Sequence, residues 1–308
     1  MNYHDQLRSI QKASGWTQEQ LARNLSVSFA TLNSWVNKRS TPRAKALHNI
    51  GKLYLDIVGV DEVDADMLLA AKRSALQFRT SPKKLVGSQD TLEKLTLYLT
   101  YHTNTIEGST MTLSDVEEVI FEHKVLTNRS AVEQTEARNH QATLYWLLDE
   151  LAGKGKGFVI DEALILGIHL RLMNGIIGDA GQYREHPVRI MGSRVALANW
   201  VKVPELVNEL VKDLEKPPKD IIKVLASTHA RFEQIHPFSD GNGRGGRLIM
   251  LAQALRYGLI PPLVIKERKY AYYKYLELAQ TKENYAPLEL FTAESISFTN
   301  NLLKDHSL

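Results

Sequence analysis

HPFSDGNGRGGRL, His236 to Leu248, decides how the rest of the chain is read. The segment holds a histidine, a carboxylate, an asparagine, four glycines and two arginines in a run too short to be a domain. KDIIKVLASTHARFEQI precedes it and GRLIMLAQALRYG follows, and both carry helical spacing of apolar residues. The segment is therefore a loop between two helices, and its last residues open the second one. Gly241, Gly243, Gly245 and Gly246 permit positive φ and close backbone approach. Free N–H groups at the second helix's start, with the helix dipole, make an anion site. Asn242 can add an amide N–H, and Arg244 and Arg247 can add guanidinium forks suited to phosphate. Asp240 supplies a hard oxygen for Mg²⁺, which binds through one or two carboxylates plus substrate phosphates. His236 stands at the other side of the loop, beside Pro237 and a core-directed Phe238, placed to take a proton from an incoming hydroxyl. No Lys-Ser/Thr follows the glycines, so this is not a P-loop.

Outward from the loop, most of the chain reads as helix. Leu92, Leu95 and Leu99 have helical spacing, as do Ile222, Leu225 and His229. Gln182 to Pro204 breaks the pattern. Val188 and Ile190 alternate before Gly192-Ser193, and Val195 and Leu197 after it, which predicts a β-hairpin turning at Met191, Gly192, Ser193 and Arg194. The expected fold is mainly α: a helical head over 1–58, a polar linker with one short helix over 59–86, and a helical domain with a hairpin flap over 87–308. At 308 residues two domains are expected. There are no cysteines, which excludes a disulfide scaffold, a thiolate metal site and a cysteine nucleophile. No signal-peptide pattern and no run of 18 apolar residues is seen, so a cytoplasmic protein without a membrane partner is expected.

The net charge of +3 is unevenly spread. Residues 1–56 hold eight Lys/Arg against three Asp/Glu, whereas the remainder is slightly acidic, so the head alone suits an anionic partner. GWTQEQLARNLSVSFATLNSWVNKRSTPR reads as helix, tight turn, helix, with Thr17 and Gln20 in a capping box. Leu21, Leu25, Leu32 and Trp35 face inward. Thr31, Asn33, Ser34 and Asn37 face outward and lead into Lys38 and Arg39, a pattern suited to a recognition helix with its cations on DNA phosphate. The segment resembles helix-turn-helix domains of the Cro/repressor type, and a single copy reading one half-site favours a homodimer.

HPFSDGNGRGGR is similar to the Fic signature, His-x-Phe-x-Asp/Glu-Gly-Asn-Gly-Arg-x-x-Arg, at every defined position. The resemblance spans roughly residues 90–295 and includes GQYREHPVRIMGS and YYKYLELAQ. It implies transfer of AMP from ATP to a Ser, Thr or Tyr hydroxyl of a target protein, with self-modification plausible. His236 would be the general base and Asp240 would hold Mg²⁺. Gly241, Asn242, Gly243, Arg244 and Gly246 would grip phosphates, with Arg247 on the γ-phosphate. The turn at 191–194 would dock the target, and Tyr272 or Tyr273 would line the adenine pocket. Thr103-Asn104-Thr105-Ile106-Glu107-Gly108 resembles the inhibitory motif Ser/Thr-x-x-x-Glu-Gly/Asn of such proteins. There Thr103, Glu107 and Gly108 would form a brake, with Glu107 paired to Arg247 against the γ-phosphate. The same glutamate could instead orient a water molecule that removes AMP from a modified protein. A nucleotide-sensing, DNA-binding regulator is a third reading, against which an intact His236 argues.

Overall fold

The computed structural model describes residues 2–190, 192–215 and 218–305. Fifteen α-helices are found among them, and their contacts divide the chain into two units, residues 1–62 with 267–275, and residues 63–266 with 276–308.

The first unit is built from α1 (Tyr3–Ser14), α2 (Gln18–Asn24), α3 (Phe29–Val36) and α4 (Ala44–Ile57). Each helix buries one stripe: Leu7 and Ile10, Leu21, Leu32 and Trp35, Ile50 and Ile57. Thr17 and Gln20 form the reciprocal capping box at the start of α2. Ser26, at φ 54°, turns the chain between α2 and α3, and Ser28 caps α3 through the Thr31 N–H. Residues 267–275 pack here as well. Tyr275 Oη accepts the Val60 N–H at 3.2 Å, and Lys274 pairs with Asp61 at 2.8 Å. Gly59, at φ 74°, lies so close to the Tyr275 ring that any Cβ would meet its hydroxyl at 2.7 Å.

The second unit holds α5 (Ala65–Ala75), α6 (Pro82–Val86), α7 (Gln89–Ile106), α8 (Leu113–Ile120), α9 (Ala131–Lys154) and α10 (Glu162–Met173). It continues with α11 (Val203–Glu215), α12 (Ile221–Ile235), α13 (Asn242–Arg256), the second half of α14 (Lys269–Lys282) and α15 (Ala286–Lys304). α13 is its centre. Almost every residue from Asn242 to Leu255 is buried, packed among α7, α9, α10 and α12. A helix buried on all sides shows no amphipathic stripe, and its first turn is immobilised by its neighbours.

Two expectations need correction. The 59–86 stretch holds two helices rather than one, and from residue 63 it belongs to the second unit. α5 packs along α15, and Lys72 is bound between Asp220, at 2.6 Å, and Glu289. The polar residues that suggest a linker flank α5: Asp64 caps its start, and Ser81 caps α6 after it. The hairpin over 182–204 has its reversal but no ladder. Gly192 has φ 77° and Ser193 N–H donates to Ile190 C=O at 3.2 Å, yet no strand is formed among the described residues there. An isolated two-stranded ribbon is marginal in water, and no third strand supports this one. Met191 lies outside the described residues. The described residues contain a single isolated β-bridge, Arg79 to Leu259.

Candidate active site

α12 ends at Ile235, and His236 caps it in the left-handed region, at φ 50° and ψ 62°. That conformation is uncommon for a non-glycine residue and turns the side chain out of the helical register. Its Nδ1 lies 3.1 Å from the Glu233 carbonyl oxygen. A carbonyl only accepts, so Nδ1 carries the proton and Nε2 keeps its lone pair. Burial lowers the pKa of His236 below the ordinary histidine value; the Glu233 carbonyl works against this and the Arg184 charge adds to it. The imidazole is thereby a neutral base with one nitrogen free to accept.

The loop after His236 is pinned from within. Phe238 is buried, and its N–H donates to Asn242 Oδ1 while its carbonyl accepts from Asn242 Nδ2, both at 2.9 Å. The Phe238 ring stacks on His169 of α10, with centroids 3.6 Å apart and planes 2° from parallel. His169 Nδ1 accepts the Gly181 N–H at 2.9 Å, so Nε2 is the donor to the Asp240 carbonyl at 3.0 Å. Burial lowers the pKa of His169 to about 4, which keeps this tautomer at neutral pH. Gly241, at φ 77°, is wedged against Met173, where a Cβ would meet the sulfur at 2.7 Å.

Asn242 then starts α13, whose N-terminus has no side-chain cap. Its first turns carry Arg244 and Arg247, both buried, each held by a carboxylate from another helix. Arg244 donates to Glu136 of α9 at 2.6 Å, with Asp240 Oδ2 a further 3.6 Å away. Arg247 donates from Nη2 to Glu107 at 2.5 Å and from Nε to the Thr103 hydroxyl at 2.7 Å. Glu107 caps the end of α7 and leans over Gly243, where any Cβ would collide with its carboxylate. A third carboxylate, Glu233, lies beneath the loop on α12. Burial raises its pKa to about 8, with Arg247 opposing and Glu107 reinforcing the shift. Gly246 packs against it so closely that a Cβ would stand 2.5 Å from Glu233 Oε1. His140 and His229 flank the arginines, and burial lowers both to about 3.

The loop thus presents a neutral imidazole and two buried arginines at one end of a central helix. Residues 159–254 match the Fic/DOC family model. The chain carries a Fic/DOC domain. Residues 7–54 match a helix-turn-helix family model. Over 190 residues, 58% of this chain, it is 31% identical to protein adenylyltransferase Fic of Nematostella vectensis. Over 234 residues, 71% of this chain, it is 31% identical to protein adenylyltransferase fic-1 of Caenorhabditis elegans. The chain spans about two fifths of the length of these relatives, 42% and 43%. Its fold is similar to a Fic-1 fragment of C. elegans, with a TM-score of 0.66 at 22% identity, over 92% of this chain and 84% of that one. It is also similar to a Fic-domain-containing signalling protein of Bacteroides thetaiotaomicron, with a TM-score of 0.63 at 21% identity, over 78% and 95% of the two chains.

Within the Fic domain, His236, Asp240, Gly241, Gly243, Arg244, Gly246 and Arg247 lie on one loop and the helix it opens. Gly241 alone among the loop glycines has positive φ; Gly243, Gly245 and Gly246 are helical, and Gly243 and Gly246 serve close packing. Asn242 differs from expectation: both ends of its amide are spent on Phe238, so it staples the loop and does not offer its side chain to a phosphate. Thr103 and Glu107 reach Arg247, and Gly108, at φ 113°, carries the chain away. Gly192 and Arg194 are exposed and Ser193 is half-buried. Tyr272 is buried and Tyr273 is 40% exposed, and both belong to the first unit by their contacts. They are not among the residues that the second unit brings to the loop. In the first unit, Thr31, Asn37, Lys38 and Arg39 are exposed, while Asn33 and Ser34 are half-buried and bonded to Gln18 and Ser40. Sequence reasoning missed Glu136, His169 and Glu233. No spacing rule links them to the loop, although Glu233 sits only three residues before His236 on the α12 sequence.

Proposed function

We propose that this chain transfers AMP from Mg-ATP to a hydroxyl side chain of a protein, is restrained by Glu107, and binds DNA through its first unit. The observation that carries the first part is the tautomer of His236: its Nδ1–H is committed to the Glu233 carbonyl, so Nε2 is an acceptor beside an uncapped helix start. The acceptor hydroxyl gives its proton to Nε2 and its oxygen bonds to the α-phosphorus. The α-phosphorus–oxygen bond to the β-phosphate breaks and pyrophosphate leaves. α13's N–H groups, Arg244 and Arg247 stabilise the charge spread over the phosphates.

Asp240 is the side chain that would hold Mg²⁺. Its carboxylate is 63% exposed at the mouth of the loop, which suits a cation shared with substrate phosphates. Among the described residues no group of three or more His, Cys, Asp or Glu that could hold a metal stands together; a cation on Asp240 would take its other ligands from substrate phosphates and water. When bound it would offset phosphate charge.

Restraint follows from the same arginine. Glu107 takes the Arg247 fork and places a carboxylate over Gly243, against the negative charge of a triphosphate. For the first unit, a capped two-helix motif with Lys38 and Arg39 exposed at the end of α3 supports phosphate contact, and the family match supports the module. The transfer reading is tested with Glu107→Gly and ATP labelled at either phosphate. Label kept on protein from the α position and not from the γ position is expected; retention of γ label would mean phosphorylation instead.

A further inference from the structure

Arg184 is 2% exposed, and among the described residues its hydrogen-bond partners are all backbone carbonyls. Nε donates to His236 at 2.7 Å, Nη1 to His186 at 2.8 Å, and Nη2 to Ala198 at 2.7 Å and Ile235 at 3.4 Å. Its own N–H donates to the Pro237 carbonyl at 3.0 Å. These partners fall into two sets. Ile235, His236 and Pro237 are the end of α12 and the start of the loop. His186 and Ala198 are the two ends of the exposed excursion that contains Arg189 and Arg194. Ala198 is tied a second time, its N–H donating to Gln234 C=O at 3.1 Å.

A buried cation without a carboxylate has a physical reason here. The unpaired carbonyls at the end of a helix carry its negative dipole, and Arg184 sits on them. A planar fork of five N–H donors can serve several carbonyls at fixed angles, whereas lysine offers three donors from one point. The His236 backbone is in a strained region, and its carbonyl is one of the groups the fork holds.

We infer that Arg184 is a positioning residue that locks both ends of the 186–198 excursion to the backbone of His236, so that a docked acceptor hydroxyl and the imidazole share one frame. This rests on the reading of His236 as base and of the excursion as docking surface. Arg184 touches no reacting atom. It acts by removing slack between two loops whose relative displacement by about 1 Å would cost roughly a hundredfold in rate.

The test uses Arg184→Lys and Arg184→Gln in the full chain carrying Glu107→Gly. Tryptic cleavage at Arg189 and Arg194 is expected to quicken by about tenfold or more as the excursion loosens. AMP transfer is expected to fall by about tenfold or more, more for Gln than for Lys, with Mg-ATP affinity by calorimetry unchanged. Unchanged cleavage together with unchanged transfer would overturn the assignment, and so would a loss of Mg-ATP affinity in proportion to transfer, which marks general damage. If the Glu107→Gly parent transfers nothing, the functional reading has failed, and cleavage alone still judges the clamp. If neither variant folds, amide exchange on the unaltered chain decides. Arg184 and Ala198 N–H should exchange as slowly as the α12 core; exchange at the rate of Arg194 and Ala196 would overturn the clamp.

Discussion

The loop from His236 to Arg247 and the helix from Phe29 to Val36 are both segments on which function is proposed, and they are built in opposite ways. In the loop, Asn242, Arg244 and Arg247 are buried; Asn242 is stapled to Phe238 within the loop, and each arginine is held by a carboxylate from another helix. On α3 and just after it, Thr31, Asn37, Lys38 and Arg39 are exposed, and Asn33 and Ser34 are half-buried and bonded to Gln18 and Ser40. The difference matches what each would do under the proposed function. Bond-making needs donors and bases held to fractions of an ångström before the substrate arrives. Docking to DNA needs positive charge and short polar groups whose final order is set by the phosphates. Substitutions in the loop should therefore produce steep and specific losses, and those on α3 shallow and graded ones.

His236→Ala in the Glu107→Gly background carries the largest expected effect. AMP transfer should fall by roughly 10² to 10⁴, with Mg-ATP affinity unchanged by calorimetry. A parallel loss of affinity would place His236 among the binding groups instead. In the parent, the rate should rise with pH on a limb below the ordinary histidine value, since burial lowers the pKa of His236 and only the neutral form accepts a proton. Next comes Asn242→Ala, which strands the N–H and carbonyl of buried Phe238. A loss of about 1–3 kcal/mol in unfolding free energy is expected, read by denaturant titration. A neutral result would break the contrast, because the loop would not depend on its staple.

Glu233→Gln sharpens the comparison through pH. The folded-state pKa of this acid is raised from 4.5 to about 8, so it favours the folded state when protonated. Its contribution is full below about 4.5 and is lost as pH rises through about 8. The variant should lose that decline, and unfolding curves at pH 5 and pH 9 measure it. The smallest effect is expected just after α3. Arg39→Ala should weaken binding to any duplex almost uniformly and reduce the salt slope by about one, without altering nucleotide affinity.

What was legible follows the same divide. The loop is local in sequence: His236, Asp240, Arg244 and Arg247 stand within twelve residues, and the two helices that flank the loop follow from apolar spacing. The capping box at Thr17 and Gln20 was equally local. What depended on long-range packing was not legible. In sequence Asn242 reads as a phosphate donor, because nothing in its neighbours shows that Phe238 folds back onto it. Glu136, His169 and Arg184 act from helices or loops 50 to 110 residues away in sequence, with no pattern that points to the loop. The hairpin was expected from alternation, which describes side-chain faces and says nothing of whether a second strand can pair. The 59–86 stretch reads as a linker because polar residues flank its helix, and the contact that packs α5, Lys72 between Asp220 and Glu289, is made with residues far along the chain.

The central claim is that Arg247 is held by Glu107 and that freeing it exposes an AMP-transferring site. It is tested most directly by intact mass after incubation with Mg-ATP of the unaltered chain, Glu107→Gly and Glu107→Gly/His236→Ala, each with and without a cell extract as acceptor. The account predicts protein-bound AMP with Glu107→Gly, on itself or on an extract protein, and none with the double variant. AMP appearing equally with the unaltered chain and with Glu107→Gly would contradict the brake, and AMP surviving the loss of His236 would contradict the base.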